Sequence, residues 1–355
     1  MWILFFTAAT IVAWRASRRS HFSHLWNALT NSTCDLNFTP TKLSGIDVVT
    51  IFMAIIIKSI VSLSAWGTKL ERNGDDFKLP RIKITAPLEL SLEDTRQYEQ
   101  AVATICSQKE VSSKKMVPSL ILAAATTPLM ILTLAHFSSP IRPLGSVNTR
   151  NRFDFIDPVK NNLSKTRAIA TFGGPNQKGR RTKRGIEFDI IVEVYDTTSE
   201  KMIFRQIITV MQTLSKSAPP LSERPRLTEN NESPKFSLLL GILEVPYSAP
   251  SSWWPLCKDY NPIHISAFSA RMFGLPGRIA HGNHVVAAIL YELLDDNVAY
   301  KSCLEVSFRR PMVLPIRLEL KCMKEAGAMK FAAIHKEKVY VEGSFKCEEL
   351  PSEEI

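Results

Sequence analysis

The 355 residues contain no CxxC pair, and the six cysteines, Cys34, Cys106, Cys257, Cys303, Cys322 and Cys347, lack the Cys/His spacing of a metal ligand set. A structural metal site is therefore not expected, and the thiols are read as reduced. Acidic residues are missing before Asp35, and Arg15, Arg18 and Arg19 follow the first apolar run instead of preceding it. A secretory signal needs the opposite charge order. The C-terminal Ser352-Glu353-Glu354-Ile355 is neither a peroxisomal nor an endoplasmic-reticulum retrieval signal. No recognition motif and no interleaved aromatics accompany the basic residues, so nucleic acid is not an expected partner. Apolar residues are not scarce: 45% hydrophobic and 22% charged residues exclude wholesale disorder and a coiled coil. What is in excess is positive charge. With 44 Lys and Arg against 34 Asp and Glu, the net +10 suits anionic lipid or a phosphorylated carrier without choosing between them.

Two apolar runs mark the first 72 residues. Residues 1–14 are too few to span about 30 Å of hydrocarbon and apolar all round, unlike an organelle-targeting helix with arginines along one face. Residues 46–66 have the length of a membrane span, with Lys58 in the middle at a cost of about 2.5–3.5 kcal/mol on insertion scales. We expect a membrane anchor within residues 1–72, the alternative being a helix packed on a soluble domain. An intracellular membrane follows, endoplasmic reticulum rather than mitochondrion because the N-terminus is apolar rather than amphipathic.

The rest divides at residues 215–235, a proline-rich polar linker. Upstream, residues 73–214 carry an apolar helix at 119–135, interrupted by Pro128, then strands at 146–157, 166–172, 186–196 and 202–214. Ile186, Phe188, Ile190, Val192 and Val194 alternate with mostly polar neighbours, as a strand with one buried face requires. Downstream, residues 236–347 repeat the order: a helix at 281–294, then strands at 303–308, 315–323, 330–335 and 339–345, before a tail at 348–355. Ile316, Leu318, Leu320 and Cys322 share one face while Arg317, Glu319 and Lys321 share the other, which predicts an antiparallel sheet with a solvated side. The fold class is α+β: two antiparallel sheets, each wrapping a central helix.

The chemistry concentrates in residues 257–284, CKDYNPIHISAFSARMFGLPGRIAHGNH. Asp259 and His264 flank Asn261-Pro262, a turn sequence that brings a carboxylate and an imidazole into one pocket as a general acid/base pair. His281-Gly282 opens the second apolar helix, where unpaired backbone N–H groups can stabilise a developing oxyanion.

This stretch resembles the MaoC-like dehydratases, or hydratase 2 family, whose pattern G-D-x-N-P-[IL]-H, a spaced alanine and G-F-x-x-P-I-A-H-G-M is matched at Asp259, Asn261, Pro262, Ile263, His264, Ala270, Gly274, Pro276, Ile279, Ala280, His281 and Gly282. The resemblance extends over about residues 75–347 and implies a double hot-dog fold whose first half lacks the catalytic motif. It implies reversible hydration of a trans-2-enoyl thioester to the (3R)-hydroxyacyl thioester, with coenzyme A or acyl carrier protein as carrier and no metal or other cofactor. Asp259 and His264 would handle water and the C2 proton, the Gly282 N–H the thioester carbonyl, Asn261 the turn, and the helix at Pro128 the acyl tunnel.

Lys258, Leu275, Arg278 and Asn283 depart from the pattern. A lysine before the aspartate either favours the carboxylate or faces solvent. His281 is divided between cap and pocket contact. Lys178, Arg180 and Arg181 form a basic hairpin, either a solvated tip or a dock for the phosphates of the carrier. A homodimer is a further expected assembly. Two rivals stay open: a catalytically silent acyl-thioester scaffold, and an accessory dehydratase of a polyketide pathway.

Overall fold

The computed structural model describes residues 21–61, 70–74, 76–106, 119–157, 163, 165–175, 177–213, 236, 238–294, 301–325 and 327–347. The apolar run at 1–14, the linker at 215–235 and the tail at 348–355 lie outside them. Two helices, α1 (Phe22–Thr30) and α2 (Gly45–Val61), flank a short strand β1 (Thr33–Asp35). The first half then runs β2 (Arg72–Asn73), β3 (Asp76–Lys78), β4 (Ile82–Leu88), α3 (Leu92–Ala103), α4 (Ser119–Ala135), β5 (Ser146–Phe155), β6 (Thr166–Phe172), β7 (Lys178–Arg181), β8 (Gly185–Asp196) and β9 (Met202–Thr213). The second contains β10 (Leu238–Val245), α5 (Ala249–Cys257), α6 (Pro262–Ile265), α7 (Ala267–Met272), α8 (Gly282–Leu293), β11 (Ser302–Phe308), β12 (Ile316–Glu325), β13 (Ala328–His335) and β14 (Lys338–Cys347).

Both halves have the same topology. The order β4-β6-β8-β9-β5 of the first is mirrored by β10-β12-β13-β14-β11 of the second, and β5 pairs antiparallel with β11 to make one continuous sheet. Each half sends its first strand into helices and returns with four antiparallel strands, so the expected double hot-dog plan is present. Along β6 the burial alternates strictly, with Ala168, Ala170 and Phe172 inside, and along β12 Leu318, Leu320 and Cys322 are buried opposite Arg317 and Glu319. Period-two patterning alone fixes which face meets the core.

The central helix of the first half, α4, is nearly all apolar and packs on β4, β6, β8 and β9. Its threonines are satisfied internally: Thr126 Oγ1 donates to Leu122 O at 2.7 Å and Thr133 Oγ1 to Leu129 O at 2.8 Å. Pro128 does not interrupt it; the helix runs through from Ser119 to Ala135. In the second half α8 lies against β10, with Val285, Val286, Ala288 and Ile289 buried.

The membrane-spanning expectation for residues 46–66 finds no support among the described residues, which include 46–61 of that run. No helix among the described residues is long and apolar enough to cross a membrane. Residues 46–61 belong to α2, which packs on α1 and α4 with Ile51 and Ala54 buried. Lys58 is only 5% exposed and its Nζ donates to Leu134 O, an otherwise unpaired carbonyl of the last turn of α4. At the other end buried Asp47 accepts from the His21 amide at 2.8 Å and from the Ser44 amide and hydroxyl at 2.9 and 2.7 Å. The outer face of α2 nonetheless leaves Val49, Met53, Ile57 and Ile60 exposed.

Candidate active site

Helix α5 ends at Cys257, and the chain reverses through Lys258 at φ +49°, the left-handed region that favours glycine. Lys258 thus occupies the conformation for which the family pattern uses glycine, and it turns Asp259 back toward α8. Lys258 does not simply face solvent: it lines the same cavity as Asp259, and burial lowers its pKa. Asp259 Oδ1 accepts from the Asn261 amide at 3.1 Å, and Asn261 caps α6 by accepting from the Ile263 amide at 3.3 Å. Pro262, at the first position of α6, therefore starts a helical turn that delivers His264.

The His264 ring is 8% exposed at the residue level, and its Nδ1 lies 3.0 Å from Ile279 O. A carbonyl accepts only, so Nδ1 carries the proton in the neutral ring and Nε2 is left as the acceptor. That Nε2 sits 4.0 Å from Asp259 Oδ2, a separation one water oxygen can bridge. Burial holds the His264 imidazole below its ordinary value, Arg278 pushes the same way, and the Asp259 carboxylate opposes both.

His281 packs behind the Asp259 turn; neither it nor His264 lines the cavity that holds Asp259. It stands at the N-cap of α8 without a side-chain cap bond, stacks on His264 with ring centroids 3.8 Å apart, and donates through Nε2 to Asp259 O at 3.1 Å. Burial and the neighbouring His264 drive its pKa well below the ordinary value. Gly282 supplies the first helical amide, and a Cβ there would meet Phe308 Cε1 at 2.7 Å, so a larger residue would have to displace that ring or the start of α8. Asp259, His264 and His281 each bring a potential ligand atom within 4.8 Å of the others. Because His281 Nε2 already serves Asp259 O, the arrangement suits a water or a transferring proton better than a metal.

Arg278, flagged by sequence only as a departure from the pattern, is the main residue around this turn whose placement sequence reading missed. It is 6% exposed, its Nε donates to His264 O at 2.6 Å, its Nη1 to Tyr247 O at 3.1 Å, and the guanidinium lies over the rings of Tyr247 and Trp254. It fastens the turn that carries His264 from beneath. Asn283 accepts at 2.6 Å from Asn151 Nδ2 of β5, and His284 donates to Ala101 O at 2.7 Å, so two residues after Gly282 bind the second half to the first.

The three basic residues of the hairpin lie elsewhere. Arg180 forms a two-point pair with Asp189, Arg181 donates to Thr182 O and Gly185 O, and Lys178 lies 4.0 Å from Asp76. None of the three lines the cavity that holds Asp259. That cavity has a volume of about 120 Å³ and opens to solvent. Lys258, Asp259, Tyr260 and Asn261 form its polar end; Pro128, Ile131 and Leu134 of α4 form an apolar side.

Residues 255–343 match the model of the MaoC like domain family. The 3-hydroxyacyl-thioester dehydratase X of Mycobacterium tuberculosis is 25% identical over 198 residues, 54% of this chain and 64% of that protein. The chain thus aligns with less than two thirds of that relative. The crystal structure of HtdX of Mycobacterium tuberculosis superimposes with a TM-score of 0.56 at 18% identity, covering 75% of this chain and 100% of the other. A MaoC-like dehydratase from Phytophthora capsici gives 0.56 at 15%, covering 76% and 96%. The chain thus has a double hot-dog fold, and the stretch similar to the MaoC like domain holds the hydrogen-bonded Asp259 turn, the buried imidazole facing it and the glycine-started helix.

Proposed function

We propose that the chain interconverts trans-2-enoyl and (3R)-hydroxyacyl thioesters of lipid metabolism by adding or removing water. The observation that carries this reading is the approach of Asp259 Oδ2 to His264 Nε2 at 4.0 Å beside the first amide of α8. A water between the two acceptors loses a proton to one of them as its oxygen attacks C3. A proton returned from the pair to C2 completes the addition, and the reverse order eliminates water. The Gly282 N–H, at the positive end of α8, stabilises the enolate-like oxygen of the thioester. Arg278 and His281 act as positioning residues, holding His264 and Asp259 by their backbone carbonyls. The carrier is coenzyme A or acyl carrier protein.

Full-length protein offered crotonyl-CoA and longer trans-2-enoyl-CoA substrates is expected to remove their ultraviolet absorbance, and Asp259→Asn to abolish the loss. Binding without turnover in the wild type would leave the silent scaffold. Membrane association belongs to the same reading, as contact with the surface of a bilayer. It is supported by the exposed Val49, Met53, Ile57 and Ile60 of α2 with Phe22 and Trp26 of α1. Sedimentation with anionic lipid vesicles tests it, and full recovery in the supernatant would overturn it.

A further inference from the structure

Helix α2 precedes the first hot-dog half and lies outside residues 255–343, the stretch matched by the family model. It nevertheless builds the site. Val48, Ile51, Phe52 and Ile55, spaced i, i+3, i+4, i+7, put one apolar stripe of α2 into the wall of the cavity whose polar end is Asp259. No charged side chain of α2 reaches this wall, because Asp47 and Lys58 point to the buried contacts with His21, Ser44 and Leu134 at either end of the helix. Those two anchors fix the stripe in place, so the wall is set by packing and two buried polar contacts. A ligand whose reactive carbon lies at Asp259 therefore extends between α2 and α4 into surroundings that can accept only hydrocarbon.

We propose that α2 is the specificity wall for the acyl chain, and that Val48, Phe52 and Ile55 determine which chain lengths the site takes, favouring substrates well beyond four carbons. The proposal rests on the reading of Asp259 and His264 as the hydration pair. Groove size is changed in both directions in the full-length protein: Ile55→Trp fills it, Phe52→Ala opens it, and Met53→Trp on the exposed face of the same helix is the control. Two readouts are taken. One is kcat/KM for trans-2-decenoyl-CoA relative to crotonyl-CoA; the other is calorimetric binding of the non-reacting decanoyl-CoA relative to butyryl-CoA.

The expected result is a fall of at least about tenfold in both ratios for Ile55→Trp, the discrimination a hydrophobic pocket achieves per methylene or two. Phe52→Ala should shift the preferred length upward, and Met53→Trp should move neither ratio. Ratios unchanged in Ile55→Trp and Phe52→Ala, from proteins melting cooperatively like the wild type, would overturn the assignment. Should the wild type hydrate nothing while Ile55→Trp still weakens decanoyl-CoA selectively, the groove stands and the hydration reading falls. Wild-type binding with no preference for decanoyl-CoA over butyryl-CoA, or no binding of either, overturns the groove.

Discussion

The two halves of this molecule have one topology and different uses. In the second, the connection between β10 and α8 contains three short helices, with Asp259 and Asn261 in the turn between the first two and His264 on the second, and α8 starts with a glycine. In the first, the connection between β4 and α4 contains α3 and no histidine, and α4 carries Pro128 into the cavity wall. The comparison teaches that a duplicated fold can differ between its copies: one carries the polar turn, while the other gives apolar volume to the same cavity. The joint is specific. Asn151 donates across it to Asn283, and His284 reaches Ala101 O, both next to the start of α8.

The difference breaks most sharply at the acid. Asp259→Asn is expected to lower kcat/KM by about 10²–10⁴ with the fold intact, measured by enoyl-thioester hydration and circular dichroism. Glu89→Gln, on the matching connection of the first half, should leave turnover within about twofold. Gly282→Ala comes next: a Cβ 2.7 Å from Phe308 must move either the ring or the first turn of α8, costing about 1–3 kcal/mol in thermal or urea unfolding together with a loss of turnover. Uncoupling the halves is a smaller change. Asn151→Ala should cost about 1–3 kcal/mol, because it leaves the Asn283 carbonyl unpaired at a buried joint, and a double-mutant cycle with Asn283→Ala should return a coupling near 1 kcal/mol.

Acid tests the buried imidazoles. Burial lowers the His284 pKa from 6.5 to about 4, so between those values the unfolded chain takes up a proton that the folded chain refuses. Stability is complete above pH 6.5 and declines as the pH falls toward 4; His264 and His281 are shifted in the same direction. The urea midpoint should fall through that window, with a shallower slope in His284→Gln. Smallest is Lys258→Gly, expected to stabilise the fold by up to about 1 kcal/mol by relieving a left-handed lysine, with its effect on turnover reporting what the cation does beside Asp259.

Much of this was legible in sequence. The strands at 166–172, 186–196 and 202–214 and the helix at 119–135 follow from period-two and apolar patterning, and their β-structure differs from expectation by a residue or so at the ends. Asp259, His264 and His281 were legible because they lie within a span of 23 residues, 259–281, where local turns bring them together. Strands β4 and β10 escaped notice: β4 carries a proline at position 87, and β10 is a continuous leucine-rich run without alternation. The packing of α2 was not legible because an all-round apolar helix has the composition of a membrane span, and composition cannot register that Lys58 finds a carbonyl on α4. Arg278 was invisible in its role, since a lone arginine gives no sign that it will lie buried beneath a turn.

The three-residue strand β1 adds a consequence for handling the protein. It pairs in parallel with Lys83, Ile84 and Thr85 of β4, the terminal strand of the first half, and covers hydrogen-bonding groups that would otherwise face solvent. Cutting the chain at residue 73, which sequence alone recommends as the start of the soluble part, would strip that cover and α2 together. Such a truncate would present an open sheet margin to its neighbours and a groove lacking one side, so self-association and altered selectivity would arrive in a single step.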